Sequence, residues 1–469
     1  MNHILPFYCT RRRRGIAWSQ VGPPIALLVL VVTLPSAASS QKSGTADSIP
    51  AFSLDDCINY AMQHQPSVYQ SSIDISIAKT TNAINLSGWL PQIGLSGSYT
   101  HYNQLPTTLE PNPAIPGGPP VPTHVGVVNT AIPQLSASET IFDPQLLYSA
   151  KSASLRVQQA EQSSDSTKIN IVSAVSKSFY NLLLTIQQIN ILKEDTARLG
   201  EDVTDAYHQF VAGIVDETDY QQAIITLNNS KAQLKQQVEN ESPAYAVLKQ
   251  AMGYPVEGQF TVISDTAQMM REVAFDTTQA LEFEKRIEYR QLQTVKELQQ
   301  QLSAFYRLSF LPSISATFNY LYEYESNSSA GLFRNAYPYS FIGLSFSLPI
   351  FTGLSRIENI HRSELQEQIF DWAEVDLRSQ IYTEYATALG AYKSNLYNLR
   401  LLDDNKQRAA SVYRVVSLQY KQGVVAYLNI IVAESNLITA EIGYTDALFQ
   451  LLESKIDLEK AMGELSYNH

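Results

Sequence analysis

The sequence predicts a mainly α-helical protein with membrane β-strands, in which one unit, a β-hairpin followed by a pair of long helices, occurs twice. Four short motifs recur between the two halves of the chain. They are Leu90-Pro91 and Leu311-Pro312, Phe142-Asp143 and Phe351-Thr352, Ala212-Gly213 and Gln422-Gly423, and Met252-Gly253 and Met462-Gly463. The last three pairs are 209 or 210 residues apart, whereas the two Leu-Pro motifs are 221 apart. The copies therefore differ mainly in their hairpins, and the first hairpin is 12 residues longer (221 − 209 = 12).

Residues 1–40 have the features of a secretory signal peptide. Four consecutive arginines precede a ten-residue apolar run and a small-residue cleavage region. Ten apolar residues are too few to span a bilayer, which disfavours the alternative of an anchored helix. We expect two structural repeats after this peptide. The first covers residues 41–275, with a hairpin at about 92–142, helices at about 145–252 and a connecting segment at 253–275; the second covers residues 276–469, with a hairpin at about 313–350, helices at about 355–462 and a C-terminal tail.

Charge and cysteine content exclude several classes of protein. The chain has 33 basic and 45 acidic residues, and removal of residues 1–40 takes away only basic ones. An acidic exported chain argues against nucleic acid as a partner. Cys57 is then the only cysteine, so the sequence predicts no internal disulfide and no thiolate metal site. No stretch of about 18 apolar residues follows the signal peptide, so we expect no transmembrane helix.

No catalytic motif is evident in the sequence. The six histidines after residue 40 are scattered, and the chain lacks the HExxH, GxSxG and P-loop spacings. We therefore expect no enzymatic activity, no cofactor and no metal site.

Alternating apolar residues predict four strands, two in each hairpin. Ile93 and Leu95 share one face in the first hairpin, Phe318 lies on the corresponding face in the second, and small or polar residues occupy the other face. Strands of roughly ten residues with one apolar side match outer-membrane barrel strands, and two hairpins of a soluble sheet are the alternative. Seven prolines lie in the segment Pro106–Pro122, where we expect an exposed loop without ladder pairing.

Two helices of unusual length follow the hairpins. Asp143-Pro144 combines an N-cap with proline at the first helical position, and Ser355–Glu358 resembles a capping box. A helix over residues 145–210 spans ~99 Å at ~1.5 Å per residue. Apolar residues recur at alternating three- and four-residue steps, which predicts a coiled-coil seam. The predicted seam residues are Ile169, Val172, Phe179, Leu183 and Ile186 in the first repeat and Tyr382, Tyr385, Leu389, Tyr392, Leu396 and Leu399 in the second.

Shorter helices complete each repeat. Return helices are predicted at residues 214–252 and 424–462, and further helices precede the hairpins at residues 67–88 and 287–309. A return helix and a helix that precedes a hairpin, stacked end to end, together match the length of a long helix. The four strands cannot close a barrel, because a four-stranded sheet leaves free edges in lipid. The sequence therefore predicts an oligomer.

With these motifs the chain resembles the TolC family of outer-membrane efflux proteins over residues 53–465. The likeness rests on the duplicated layout, the Leu-Pro entries, the Phe-Asp and Phe-Thr-Gly exits and the tip glycines. It implies a homotrimer in which three copies of four strands close a 12-stranded β-barrel in outer-membrane lipid, on a long α-helical barrel that crosses the periplasm. It also implies two partners, a periplasmic adaptor (membrane fusion) protein and an inner-membrane pump, and it implies that the hairpin loops are extracellular.

The resemblance further implies a periplasmic gate at the helix tips, where Gly213 and Gly423 form the turns. In the best-studied member of the family, a Tyr three residues before the second tip glycine pairs with an Asp six residues after the first. The matching residues here are Tyr420 and Asp219, with Thr218 beside the latter. A phenol–carboxylate hydrogen bond is expected between Tyr420 and Asp219.

This chain departs from that member at other tip positions. Val425 replaces an Arg, and Asn429 and Val432 replace the two Asp of an acidic ring. Asp216 and Glu217 near the first tip are candidates to replace the ring. Alternatively, they are solvated residues at a helix start, where the helix dipole favours acidic side chains.

The sequence thus predicts a trimeric outer-membrane channel that serves as the exit duct of a tripartite efflux or type I secretion system. The alternative is a structural coiled-coil envelope protein or adhesin without channel activity. Four barrel-type strands at equivalent points of a duplicated helix pair favour the channel.

Overall fold

The computed structural model describes residues 49–115, 117–263, 269 and 273–466. The predicted signal peptide at residues 1–40 lies outside the described residues. In chain order the helices and strands are β1 (Ala51–Phe52), α1 (Leu54–His64), α2 (Pro66–Leu86), β2 (Gln92–His101), β3 (Thr107–Glu110), β4 (Val121–His124), β5 (Asn129–Phe142), α3 (Pro144–Val211), α4 (Glu217–Met252), β6 (Thr261–Val262), α5 (Ile287–Leu308), β7 (Ser313–Ser326), β8 (Ala336–Ser347), α6 (Ser355–Lys421) and α7 (Tyr427–Met462). Short 3₁₀ helices cover Ser87–Trp89, Phe283–Lys285 and Ser329–Gly331.

Two of the helices, α1 and α3, begin at residues whose side chains cap them. Ser53 and Asp56 form a capping box at α1, and the Asp143 side chain accepts hydrogen bonds from the Gln145 and Leu146 amides at α3. The capping box predicted at Ser355–Glu358 is wrong. Ser355 is already helical, and the residue before it, Leu354, has a φ of 66° and makes no side-chain cap. The left-handed turn into α6 therefore takes the place of a side-chain cap.

The four long strands form one antiparallel sheet in the order β2-β5-β7-β8. Ile93 pairs with Ala137, Ala137 with Phe318, and Phe318 with Ile342, so one row crosses the whole sheet. Residues that are directly opposite share a face, so this register places Ile93, Ala137, Phe318 and Ile342 on one side. The predicted alternation is confirmed, with one register shift between Thr140 and Phe142. Strands β2 and β8 are the unpaired edges of the sheet within the described chain.

The proline-rich connection of the first hairpin contains a small sheet of its own. Strands β3 and β4 pair antiparallel, with Thr107 opposite His124 and Leu109 opposite Pro122. The prediction that this segment lacks ladder pairing is therefore wrong. Most of the prolines lie between the two strands, and Pro122 is in a two-stranded ribbon, where every residue is on an edge and a missing amide is tolerated.

Helix α3 is the central element of the helical part. On one side it packs against α2 and α4, and on the other against α5 and α7. Hydrogen bonds from Asn82 of α2 to the Ala153 carbonyl and from Ser230 of α4 to Asp195 show that α2 covers the first part of α3 and α4 the second. Helix α6 packs in the same way against α5 and α7.

The short helices abut at two equivalent junctions, as the predicted end-to-end stacking requires. Gly253 ends α4 with a φ of 69° beside Gln65, which precedes α2. Gly463 ends α7 with a φ of 73° beside Arg286, which precedes α5. A Cβ atom on either glycine would lie 2.8 Å from backbone atoms of the facing segment, so glycine is needed both for its φ and for the close approach.

The largest apolar core lies around these junctions and includes most of the predicted seam. Phe179, Leu183, Tyr392 and Leu399 are buried in it, and Ile169, Ile186, Tyr385, Leu389 and Leu396 pack against it. Tyr382 is 61% exposed in the protomer, whereas its neighbour Ile381 is buried. The burial of Tyr382 between neighbouring helices stays a prediction.

One helix in the described part of the chain, α3, is long and apolar enough over an 18-residue window to cross a membrane by length and composition. Half of that window is buried inside the protein. The expectation of no such apolar stretch therefore missed this window. A core helix passes the same test, and the buried Val172, Val175 and Leu182 show that α3 is one.

Candidate functional site

The two helix tips have the same turn. Gly213 and Gly423 have φ values of 74° and 69°, and a Cβ atom on either would meet nothing within 4 Å. The amide after each glycine, that of Ile214 or Val424, donates to a carbonyl five residues earlier at 2.8 and 2.9 Å. This is the hydrogen bond of a Schellman motif, which requires a left-handed residue at the glycine position. The positive φ alone therefore explains why glycine occupies these two positions.

The predicted tip residues surround these turns. Asp216 is the N-cap residue of α4 without a side-chain cap bond, and Glu217 and Thr218 are exposed in its first turn. Asp219 is half-buried, and its amide donates to the Asp216 carbonyl at 3.1 Å. Asn429 is exposed in the first turn of α7. The carboxylates of Asp216 and Glu217 thus lie at a helix N-terminus, where the dipole favours them.

Tyr420 is the centre of a second, smaller apolar core above the tips. It is 1% exposed, and its ring centroid is 5.4 Å from that of Tyr427. Ala206 of α3, Ala223 of α4 and Ile430 of α7 complete the buried part of this tip core. Residues of all four tip helices therefore share this core. Val425, which stands where the family's best-studied member has an Arg, packs against the same core.

The expected hydrogen bond between Tyr420 and Asp219 is not formed in the protomer. The Tyr420 hydroxyl is buried without a hydrogen-bond partner, and so is that of Tyr427. Burial, followed by the negative charges of Asp219, Asp202 and Asp205, raises the pKa of Tyr420 to about 12. Asp219 therefore acts on Tyr420 through its charge, and the ring, rather than the hydroxyl, makes the contacts at the tip.

Three buried acids near the tips were missed by the sequence analysis. Asp195 and Asp202 of α3 and Glu434 of α7 are 1%, 3% and 2% exposed. Burial raises the pKa of each carboxyl. The signal was present in the spacing, because the acids occupy positions of the three–four pattern. The pattern reads Leu192, Asp195, Leu199, Asp202 and Ala206 on α3, and Tyr427, Ile430, Glu434 and Leu437 on α7.

Comparison with known proteins identifies the family. The family model described as outer membrane efflux protein matches residues 57–254 and 284–464. These two segments contain most of the chain. The chain belongs to the outer membrane efflux protein family. The resemblance indicated by the sequence motifs is therefore confirmed.

Relatives of this outer membrane efflux protein share its length and fold. Outer membrane protein TolC of Vibrio cholerae is 20% identical over 446 residues, which cover 92% of this chain and 95% of that protein. The CmeC outer membrane channel of Campylobacter jejuni superposes with a TM-score of 0.69 at 18% identity, over 93% of this chain and 95% of that one. The open-state MtrE outer membrane channel of Neisseria gonorrhoeae gives 0.68 at 19% identity, over 92% and 96%.

Family membership gives the location and the general role of the protein. It is an efflux channel of the cell outer membrane, with its helical part in the periplasm. The family is one of channels and not of enzymes. The helix tips share an aromatic core. They lie at the ends of α3 and α6 that are farthest from the sheet.

Proposed function

We propose that three copies of the chain form the exit duct of a tripartite efflux or type I secretion system. In this assembly the strands close a 12-stranded barrel and the helices continue it as a tunnel through the periplasm. The tips dock on a periplasmic adaptor protein joined to an inner-membrane pump. The observation that carries the proposal is the pair of free edges on the four-stranded sheet.

The sheet is incomplete in a single protomer. Every residue of β2 is exposed, and so are Ile342, Leu344 and Phe346 of β8. Unpaired edges and an apolar face need lipid and a closed ring of strands, because backbone groups at an open edge find no partner in hydrocarbon. Pairing of β8 with β2 of the next copy satisfies both edges. Such a head-to-tail contact closes a ring rather than a two-fold dimer.

The helices have edges on the same two sides. Helices α2 and α4 flank α3 on one side, and α6 lies on the other side, beyond α5 and α7. Exposed apolar residues follow both edges at helical spacing. They are Tyr69, Ile73, Ile77 and Ile84 on α2, and Ile357, Leu365, Ile369, Trp372 and Val375 on α6. Burying these stripes against each other in neighbouring copies supports the same ring that the strands require.

We propose that the tips close the periplasmic entrance of the duct. The aromatic core around Tyr420 holds the four tip helices together, and Asp219 is the acid whose charge acts most strongly on Tyr420. Asp216, Glu217 and Thr218 at one tip and Asn429 at the other present polar groups to the opening. Outward movement of α6 and α7 at this core opens the entrance.

The alternative, a structural coiled-coil envelope protein or adhesin, is distinguished by assembly and conductance. Purified full-length protein should run as a trimer in native mass spectrometry from detergent and conduct ions as single channels in planar bilayers. A monomeric or dimeric protein without conductance would support the alternative. A deletion strain tested against dyes, detergents, antibiotics and metal ions identifies the cargo.

A further inference from the structure

Two of the buried acids face each other across the α3–α7 interface. Asp202 lies 11 residues before Gly213, and Glu434 lies 11 residues after Gly423, so both are about 16 Å from the tip turns. Each occupies an interhelical position that is otherwise apolar. A carboxylate taken out of water into such a position is costly unless a cation or hydrogen-bond donors compensate it.

Compensation of these acids is incomplete. Arg198 is the shared cation, and its guanidinium nitrogens are 3.6 Å from Asp195, 3.7 Å from Glu434 and 3.9 Å from Glu441. These distances are too long for hydrogen bonds, and both Glu434 oxygens and one Asp202 oxygen are buried without a partner. Asp195 is better compensated, because the Ser230 hydroxyl donates a hydrogen bond to its carboxylate at 2.6 Å. If Asp195, Glu434 and Glu441 were all ionised, three negative charges would face the single positive charge of Arg198.

Groups on α3, α6 and α7 add to this balance. On α3, Glu201 and Asp205 place further negative charge near Asp202. On α6, Lys421 is 3.8 Å from Asp205 at the edge of the cluster, and the Arg198 guanidinium lies 5.9 Å from the Tyr413 ring centroid. The tyrosines beside the pair, Tyr413 and Tyr420 on α6 and Tyr427 on α7, stay neutral because burial raises their pKa.

We propose that Asp202 and Glu434 share one proton and act as a pH-sensitive lock between α3 and α7 just above the tips. With the proton in place, one carboxyl donates to the other and the interface stays packed. When the proton leaves to solvent, two buried carboxylates repel each other and loosen α3 from α7. The proposal rests on the proposed role of the tips as the entrance of the duct.

The direction of the pH effect follows from the chemistry of the pair. Burial raises the pKa of both carboxyls, and the negative charge of Asp202 raises that of Glu434 further. A carboxyl whose pKa is raised on folding stabilises the closed interface below its ordinary pKa, and this stabilisation is lost as pH rises through the folded value. The tips are therefore locked at acidic pH and released at alkaline pH.

Conductance of the assembled full-length protein tests the lock. Open probability in planar bilayers should rise between about pH 5 and about pH 9, by at most about ten-fold per pH unit for a one-proton step. Glu434→Gln keeps the shape, removes the acid and should leave the channel closed across that range. Asp202→Asn should also leave the channel closed across that range, and it replaces Glu434→Gln in the test if that variant fails to assemble. The matched control, Glu239→Gln on α4, removes an exposed carboxylate and should keep the parental pH profile.

A second readout separates this inference from the proposed function. The infrared carbonyl band of a protonated carboxylic acid should be present in the parent at neutral pH and weaker in Glu434→Gln. If the protein does not conduct but shows this band, the proposed channel fails while the shared proton stands. Absence of the band, or an unchanged pH profile in both variants, would overturn the lock.

Discussion

Gln65 and Arg286 cap the ends of equivalent helices from equivalent positions, 221 residues apart in the chain. The Gln65 amide donates to the Gln250 and Ala251 carbonyls at the end of α4, both at 3.1 Å. The Arg286 guanidinium donates to the Ala461 carbonyl at the end of α7 at 2.9 Å. Each side chain thus satisfies carbonyls that the abutting helix leaves free. The second repeat uses a charged residue where the first uses a neutral one.

Arg286→Ala should destabilise the junction between α7 and α5. The buried guanidinium also bonds Glu288 at 2.9 Å and Glu384 at 2.7 Å, so the substitution removes one helix cap and two ion pairs. Both acids regain water, and we expect a loss of about 1–3 kcal/mol in the free energy of unfolding, measured by urea titration in detergent. Arg286→Gln should recover part of this loss because it can cap as Gln65 does.

Arg307→Ala is the matched control, because Arg307 forms an exposed ion pair with Glu364 at 3.1 Å. Its expected cost is about 0–1 kcal/mol. Equal losses for Arg286→Ala and Arg307→Ala would show that the cap at α7 contributes nothing to stability.

Gly463→Ala should cost more stability than Gly423→Ala, although both glycines have positive φ. A left-handed alanine alone costs about 1–2 kcal/mol. At Gly463 the added Cβ would also lie 2.8 Å from the Lys285 carbonyl group, and relief of such a clash typically costs a further ~1–3 kcal/mol. Thermal unfolding of the two variants provides the comparison. Similar melting temperatures would mean that the junction yields without strain.

Tyr420 should close the tips through its ring and not through its hydroxyl. Tyr420→Phe removes a buried hydroxyl without a partner, so conductance and trimer yield should stay as in the parent. Tyr420→Ala removes the ring at the centre of the tip core, a loss of about 3–5 kcal/mol in packing, and should raise single-channel conductance. If Tyr420→Phe opens the channel as far as Tyr420→Ala, the hydrogen bond to Asp219 forms in the assembled protein and maintains closure.

The hairpin connections at residues 105–122 and 325–338 should be accessible from outside the cell. Ala114 and Ser328 are exposed. A bulky impermeant maleimide should therefore label the variants Ala114→Cys and Ser328→Cys on intact cells. Background labelling is low, because Cys57 is buried and burial raises its pKa to about 12. Asn240→Cys on α4 is the periplasmic control. Labelling of Ser328→Cys only after lysis would contradict the proposed orientation.

Most of the architecture could be predicted from the sequence because it is repeated. The recurring motifs reveal both helix tips, both junction glycines and the four strands. The start of α6 was predicted wrongly because Ser355 and Glu358 have the residue types of a capping box. A backbone turn with Leu354 at positive φ precedes them, and no residue type predicts that conformation for leucine.

The candidate site was less accessible to sequence reasoning. The positions of Tyr420 and Asp219 follow from spacing to the tip glycines, but the missing hydrogen bond depends on how the Tyr420 ring packs against α3 and α4. Asp202 and Glu434 escaped notice because acidic residues normally mark the solvated face of a helix. Their three–four spacing was the available signal, and the packed helices show that these two acids are inside.

The end-to-end helix stacks have a consequence for how the chain folds. Helices α3 and α4, like α6 and α7, are neighbours in sequence and can pair as local hairpins as soon as they are synthesised. The junction of Gln65 with Gln250 joins residues 185 positions apart, and β5 pairs with β7 across a similar interval. Contacts between distant residues form late, because closing a long loop is entropically costly. The helix tips are therefore expected to fold first, and the strands that enter the membrane acquire their partners last.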